Sequence, residues 1–333
     1  MGLCAANAGH IGRSGCAIIL PMNTPHFGMI GLGKMGGNMA RRLATKNIPL
    51  VLLDQDPQVT HAVATETGLA AAASLADMVA QLAAPRIVWM MLPAGDVTEA
   101  TLAQLQALLS RGDTIVDGAN SNYKDSVRRA AQTEALGLHY MDAGVSGGVH
   151  GLANGYCLMV GGSQAALGHV QPYLEALAQS STVGWLHAGP AGAGHFTKMV
   201  HNGIEYGMMA ALAEGLSLLK GKKEFDIDLA EVSELWRHGS VVRSWLLDLT
   251  ASTLRTDQNM DGIRAHVPDS GEGRWTVNES IEQGVPTPVM TMALMSRFAS
   301  QGADDYASKL LAKMRQGFGG HAVAVVQDAP VSQ

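Results

Sequence analysis

The chain is poor in the features that mark several protein classes. Its 333 residues hold three cysteines, Cys4, Cys16 and Cys157, scattered and in no CxxC spacing. They point to neither a disulfide framework nor a zinc site, and a reducing, cytoplasmic setting is the simple expectation. Aromatic residues make up only 5%. No apolar run approaches the ~20 residues of a membrane span, so no membrane partner is expected. The net charge is −6 and no run of Lys or Arg occurs, which argues against nucleic acid as a partner. No cluster of metal ligands is visible in the sequence, and no metal is expected.

Glycine (39 residues) and methionine (18) are abundant, as suits many tight turns and adaptable helix packing. The length exceeds one typical core, so two domains are expected. Residues 1–21 stand apart. Their apolar stretch, residues 16–20, is ended by Pro21, is too short for a signal peptide and has Arg13 as its only upstream charge. They are read as a disordered leader, with Met22 the expected start.

From Phe27 onward short apolar runs alternate with helical segments. Strands are predicted at residues 27–30, 50–53, 87–92, 114–116, 139–142, 157–160 and 183–186. Ser74-Leu-Ala-Asp77 has the spacing of a capping box, with Asp in place of Glu. The alternation predicts an α/β fold: a Rossmann-type, doubly wound, mostly parallel sheet over residues 22–192. An all-helical substrate and oligomerisation domain with a C-terminal tail is predicted for residues 193–333. Its helical periodicity reaches about Leu311 and is interrupted by a loop at 257–273.

Lys198, His201, Asn202 and Glu205 stand at i, i+3, i+4 and i+7 in a long helical segment, and so share one stripe. The stripe continues through Met209, Leu212 and Leu216, which predicts burial along its length. Buried charges need partners. A base, an acid, an imidazole and an amide together suggest a reaction centre; the plain alternative is a Lys–Glu pair on an exposed helix start.

Gly31-Leu32-Gly33-Lys34-Met35-Gly36 follows a predicted strand and opens a helix. The first glycine permits the tight turn, the second lets the backbone approach a pyrophosphate, and the third lets helix and strand pack closely. Free N–H groups at the helix start suit phosphate. A glycine-rich turn without a ligand is the alternative. Asp54 ends the second strand, where an acid accepts from a ribose 2′-hydroxyl and repels a 2′-phosphate. Asp56 adds to the repulsion, and no Arg lies between Leu50 and Pro57. This favours NAD over NADP, unless Asp54 merely starts a turn. Pro93-Ala94-Gly95 lies at another strand end. So do the loops at 117–121 and 142–148, where Asn120 and Ser146 add side-chain donors to glycine-rich backbone.

Together, GLGKMGGNMARRL, VDGANSNYKDSVRR, DAGVSGGVHGLANGYCLMVGG and GAGHFTKMVHNGIEYG resemble the decarboxylating 6-phosphogluconate dehydrogenases of the β-hydroxyacid dehydrogenase superfamily. EGRWTVNESIEQGVPTPVMTMALMSR resembles them too. The resemblance implies that Lys198 is the general base and then acid, and Glu205 the second acid. It implies that Asn120, Ser146, Gly147, Gly148, His201 and Asn202 hold the sugar acid, while Tyr206 and Arg297 meet its 6-phosphate. Arg315 and His321 would reach the substrate of a neighbouring subunit in a homodimer or homotetramer. Gly31 to Gly36, Asp54, Leu92, Pro93, Ala94 and Asn120 would hold NAD.

Three departures qualify the resemblance. The chain is short, lacking the doubled helical half of familiar members, and so looks like the short, NAD-preferring class. The phosphate-contacting lysine expected just before Gly271 has no match. Gln55 replaces the basic residue that NADP-using members carry after the second strand.

The implied reaction is oxidative decarboxylation of 6-phospho-D-gluconate to D-ribulose 5-phosphate and CO2, a pentose phosphate and gluconate-utilization step. Two alternatives remain. One is a dehydrogenase of a smaller, non-phosphorylated β-hydroxy acid, which would not need the phosphate collar of Tyr206, Arg297, Arg315 and His321. The other is a non-catalytic dinucleotide sensor, which would not need both Lys198 and Glu205. As a base, Lys198 must titrate roughly two to three units below the ordinary ~10.4. Glu205 would oppose that shift, so it is expected to lie apart from Lys198 or to be protonated when the base acts.

Overall fold

A computed structural model describes residues 25–302, 305–319 and 322. The leader expected at 1–21, and His321, lie outside them. Eight strands form one sheet: β1 (Phe27–Ile30), β2 (Leu50–Leu53), β3 (Ala70–Ala71), β4 (Ile87–Met90), β5 (Thr114–Asp117), β6 (His139–Ser146), β7 (Cys157–Gly162) and β8 (Trp185–Gly189). Their order is β3-β2-β1-β4-β5-β6-β7-β8. Every neighbouring pair is parallel except β6 and β7. The order reverses between β1 and β4, and ligands of open α/β sheets bind in the crevice at such a point.

Helices α1 (Lys34–Thr45), α2 (Pro57–Thr67), α3 (Leu75–Gln81), α4 (Asp96–Leu108), α5 (Tyr123–Ala135), α6 (Gly151–Asn154) and α7 (Gln164–Leu177) fill the connections. Alternate strand residues serve opposite faces. Phe27, Met29, Leu50, Leu52 and Trp89 pack with Met39 and Leu43 of α1 and Leu174 of α7. Ile30, Val51, Val88, Met90 and Ile115 pack with Met78 of α3 and Leu102 of α4. The sheet is therefore covered on both faces, as its apolar strands predict. Ser74 caps α3 by accepting from the Asp77 amide at 3.1 Å, and Asp77 accepts in return from the Ala73 amide at 2.7 Å.

The remaining helices are α8 (Ala193–Gly221), α9 (Leu229–Trp236), α10 (Trp245–Thr256), α11 (Glu272–Gln283), α12 (Pro288–Ser300) and α13 (Asp305–Gly319). No strand follows β8 among the described residues. The first turns of α8 lie on β6 and β7, and α11 and α12 pack beside them.

Several expectations need correction. Strand β3 was not foreseen, because two exposed alanines paired through backbone to β2 carry no hydrophobic period. Strand β4 ends at Met90, before the turn at Pro93, while β6 runs on to Ser146 along its antiparallel partner β7. Burial does not continue along the whole α8 stripe. Lys198 and Leu216 are buried, but Met209 between them is 40% exposed, since the middle of the helix has left the sheet. Finally, α13 carries the helix to Gly319, past the expected limit near Leu311, so Arg315 stands on a helix rather than in a flexible tail. Ala307, Leu310, Leu311 and Met314 share a helical stripe along it, exposed in the single chain.

Candidate active site

Tight backbone contacts fix the turn after β1. Gly31 has φ +85°, and a Cβ there would lie 2.3 Å from the Met91 carbonyl oxygen. A Cβ at Gly36 would lie 1.9 Å from the Gly31 carbonyl oxygen, so α1 can approach the turn only with glycine there. A Cβ at Gly33 would meet nothing within 4 Å. That glycine faces open space, and no side chain caps the start of α1. Lys34, Met35 and their neighbours thus open a helix whose free N–H groups can receive a phosphate. Asp54 accepts from the Leu32 amide at 2.7 Å and from the Asp56 amide at 3.0 Å. Its carboxylate ties the glycine turn to the end of β2. Asp56 instead caps α2, accepting from the Gln58 amide at 2.8 Å. Leu92, Pro93 and Ala94 follow β4 across the crevice. This cradle fits a dinucleotide pyrophosphate.

Buried charge holds the next loop. Asp117, at the end of β5, accepts from Arg129 at 2.7 Å, from the Tyr140 hydroxyl at 2.8 Å and from the Ala119 amide at 3.1 Å. These bonds shape the chain so that Asn120 adopts φ +49°. Its side-chain oxygen then accepts from the Val145 amide at 3.1 Å, joining the two loops. Ser146, Gly147 and Gly148 lie beyond Val145, with φ of +128° and +52° at the two glycines. Asn120, Ser146, Gly147 and Gly148 line an open cleft of about 1280 Å³, together with Met35, Lys198, His201, Asn202 and Glu205. The sheet and α8 therefore meet in one site.

Helix α8 is anchored by Asp142 of β6, which is fully buried. Asp142 accepts from the backbone amides of Gly192 at 2.6 Å and His195 at 2.7 Å. Close contact through glycine does the rest: a Cβ at Gly144 would sit 2.3 Å from the Lys198 Cβ. Lys198 is consequently only 5% exposed. Its Nζ donates to Asn202 Oδ1 at 2.6 Å and lies 3.3 Å from His201 Nδ1. Glu205 Oε2 stands 3.9 Å from His201 Nδ1 rather than against the lysine. Burial pushes the Lys198 amine below the usual lysine value, while the charges of Glu272, Glu205 and Cys157 pull it back up.

Glu272 was not among the residues singled out in the sequence. It opens α11, is 7% exposed, and accepts from Asn202 Nδ2 and, at 3.2 Å, from the Ser270 hydroxyl. An acid in the first turn of a helix looks like ordinary dipole compensation. Nothing local signals its contact with a residue 70 positions away.

Tyr206, one turn beyond Asn202 on α8, and Arg297 of α12 form a second group. Among the described residues, neither lines the cleft. The Tyr206 hydroxyl lies 3.3 Å from Ser270 Oγ, and the Arg297 guanidinium covers its ring. Arg315 is exposed on α13.

Known proteins place this architecture. Residues 26–186 match the NAD binding domain of 6-phosphogluconate dehydrogenase, and residues 194–329 match the 6-phosphogluconate dehydrogenase C-terminal domain. Bacillus subtilis YqeC is 43% identical over 299 residues, 89% of this chain and 98% of its own length. The NAD(+)-dependent, decarboxylating 6-phosphogluconate dehydrogenase of Haloferax volcanii is 40% identical over 303 residues, 91% of this chain and 99% of its own. Among solved structures, Plasmodium falciparum 6-phosphogluconate dehydrogenase superposes with a TM-score of 0.77 at 28% identity, covering 92% of this chain and 67% of that one. Mycobacterium tuberculosis 3-hydroxyisobutyrate dehydrogenase shares the fold, with a TM-score of 0.67 at 22% identity over 85% of this chain and 94% of that one. With both domains matched and relatives aligned over nearly their whole length, the chain belongs to the 6-phosphogluconate dehydrogenase family.

Proposed function

We propose that this protein oxidatively decarboxylates 6-phospho-D-gluconate to D-ribulose 5-phosphate and CO2, with NAD as the oxidant. The observation that carries the reading is the buried Lys198, held by Asn202 at 2.6 Å on the wall of a cleft that the Ser146 loop also lines. An ammonium costs free energy to bury, so the amine is poised to exchange a proton rather than to hold a permanent charge.

The substrate carries a hydroxyl on the carbon β to its carboxylate. Neutral Lys198 takes the hydroxyl proton. Bound NAD supplies the hydride acceptor, and Gly31 to Gly36, Asp54, Leu92 to Ala94 and Asn120 are the residues that would hold it. The resulting β-keto acid loses CO2, and its electron pair moves onto the ketone oxygen. Lys198, now an ammonium, donates to that oxygen and stabilises the enediolate in the role a metal ion plays elsewhere. Glu205 then gives a proton to the carbon that lost CO2. It stands at the cleft beside His201, 40% exposed, which suits a second acid. Asn120, Ser146, Gly147, Gly148, His201 and Asn202 orient the sugar acid. Tyr206 and Arg297 are the residues that would receive its phosphate.

Asp54 favours NAD over NADP, since its carboxylate stands at the end of β2 where a 2′-phosphate would be repelled. The working form is a homo-oligomer with shared sites. Ile204, Met208 and Trp245 on the cleft rim, and Leu310, Leu311 and Met314 on α13, are 40% exposed or more in the single chain, as surfaces awaiting a second copy are. The test is NADH formation and CO2 release with 6-phosphogluconate, run beside 3-hydroxyisobutyrate and unphosphorylated gluconate. NADH formed only with the latter two would overturn the reading.

A further inference from the structure

We propose that Glu272 is a positioning residue for the catalytic lysine, acting through Asn202. The inference rests on the assignment of Lys198 as the base. The chain of contacts is continuous. Lys198 Nζ donates to Asn202 Oδ1 at 2.6 Å, and Asn202 Nδ2 donates to Glu272 Oε2. Ser270 Oγ donates to the same carboxylate oxygen at 3.2 Å. A primary amide has an acceptor end and a donor end, and here each meets the charge it prefers. The carboxylate thereby fixes which way Asn202 points. Without it, the amide could turn its NH2 toward the lysine and leave Nζ without its acceptor.

The frame around Glu272 is built to hold it there. Thr276, one turn along α11, donates to the Met199 carbonyl of α8 at 2.9 Å. A Cβ at Gly203 would lie 2.7 Å from the Thr276 side chain, so the two helices are pressed together at this level. Gly271, with φ +94°, turns the chain so that Glu272 enters α11 facing α8.

Glu272 also acts on the charge of the lysine. The groups facing Lys198 are Glu272 from α11, His201 and Glu205 from α8 itself and Cys157 from β7, with His150 on the same cleft wall. Asp142 of β6 is taken up by the Gly192 and His195 amides. Arg297 of α12 is turned onto Tyr206. Glu272 leads the charges that favour the ammonium, ahead of Glu205. It therefore limits the fall caused by burial and keeps the lysine able to regain a proton for the decarboxylation step.

The experiment compares Glu272→Gln and Glu272→Ala with the native protein across pH. Glu272→Gln keeps an acceptor for Asn202 but removes the charge. Its acid limb in kcat/KM should move down by about one pH unit, the lower end of what an opposite charge at short range produces. Glu272→Ala should lower kcat by about tenfold or more with an unchanged KM for NAD, because the amide is released. Acylation of Lys198, followed by peptide mapping without substrate, gives an independent readout: its midpoint should fall in Glu272→Gln by the same amount. Folding is checked by thermal melting. An acid limb and an acylation midpoint that both coincide with the native ones would overturn the inference. An active Lys198→Ala variant would instead overturn the base assignment beneath it.

Discussion

Arg297 sits over the ring of Tyr206, its guanidinium carbon 3.4 Å from the ring centroid. The guanidinium also donates to the Pro268 carbonyl at 2.8 Å, and the Tyr206 hydroxyl meets Ser270. A guanidinium held over an aromatic face can still donate from its edge. If the substrate phosphate binds here as proposed, it would meet this pair at the α8–α12 junction, beside the loop that lacks the lysine of familiar relatives.

This arrangement predicts a specific kinetic split. Arg297→Met should raise the KM for 6-phosphogluconate by about a hundredfold, the ~3 kcal/mol range of a charge-assisted contact. Tyr206→Phe should raise it by a smaller factor. Neither should alter the KM for NAD. Steady-state kinetics with both substrates varied would check this. An unchanged KM in Arg297→Met would place the phosphate elsewhere.

Lys198 predicts two outcomes of opposite sign. Lys198→Met should reduce kcat by about three orders of magnitude or more while 6-phosphogluconate still binds. It should also melt at a higher temperature near pH 7. The folded-state lysine titrates below its unfolded value because it is buried. Between those two values the unfolded chain binds more protons, so native stability rises with pH through that window. The advantage of Lys198→Met should therefore be full below the folded value and shrink toward pH 10. Calorimetry from pH 6 to 10 would measure it; a gap constant with pH would show that lysine titration does not contribute.

If Asp54 sets cofactor choice as proposed, that choice is tied to the glycine turn, because Asp54 holds the Leu32 amide at 2.7 Å. Asp54→Ser should cost both cofactors some affinity, since the turn loses that brace. Gln55→Arg alone should leave the turn intact and improve NADP. The double variant should move the NADP-to-NAD ratio of kcat/KM upward by at least about tenfold. A ratio unmoved in both Gln55→Arg and the double variant would remove Asp54 and Gln55 from the discrimination.

How far the sequence foretells this site depends on the range of each contact. The strip of Lys198, His201, Asn202 and Glu205 follows from helical spacing alone, and the glycine turn follows from its place between a strand and a helix. Long-range partners have no such signature. Asp142 is legible as part of a glycine-rich loop, yet its work is to anchor the amides of Gly192 and His195. Glu272 looks like a helix-start acid until α11 is packed on α8. Met209 illustrates the opposite error: its position on an apolar stripe predicts burial, but the helix has left the sheet by that point and the side chain is 40% exposed. Strand β3 carries too little side chain to leave any pattern.

The position of Arg315 on α13 sharpens the test of a shared site. Truncation after Lys313 removes Met314, Arg315 and all that follows, and Arg315→Ala removes only the charge. If the C-terminal segment completes a neighbour's phosphate site, both should raise the KM for 6-phosphogluconate, the truncation by about tenfold or more, with little effect on NAD. That alone does not say whose site the segment serves. Mixing the truncated protein with full-length Lys198→Ala does. Each parent is impaired, one in its segment and one in its base. In a mixed oligomer, the full-length inactive chain lends its segment to a site that carries a working lysine. Activity at low 6-phosphogluconate should therefore recover as subunits exchange, toward the fraction of mixed pairs. Exchange itself is followed separately, by native mass spectrometry of the two masses. Mixed oligomers without recovery would mean that each segment serves its own subunit, and the shared-site proposal would fail.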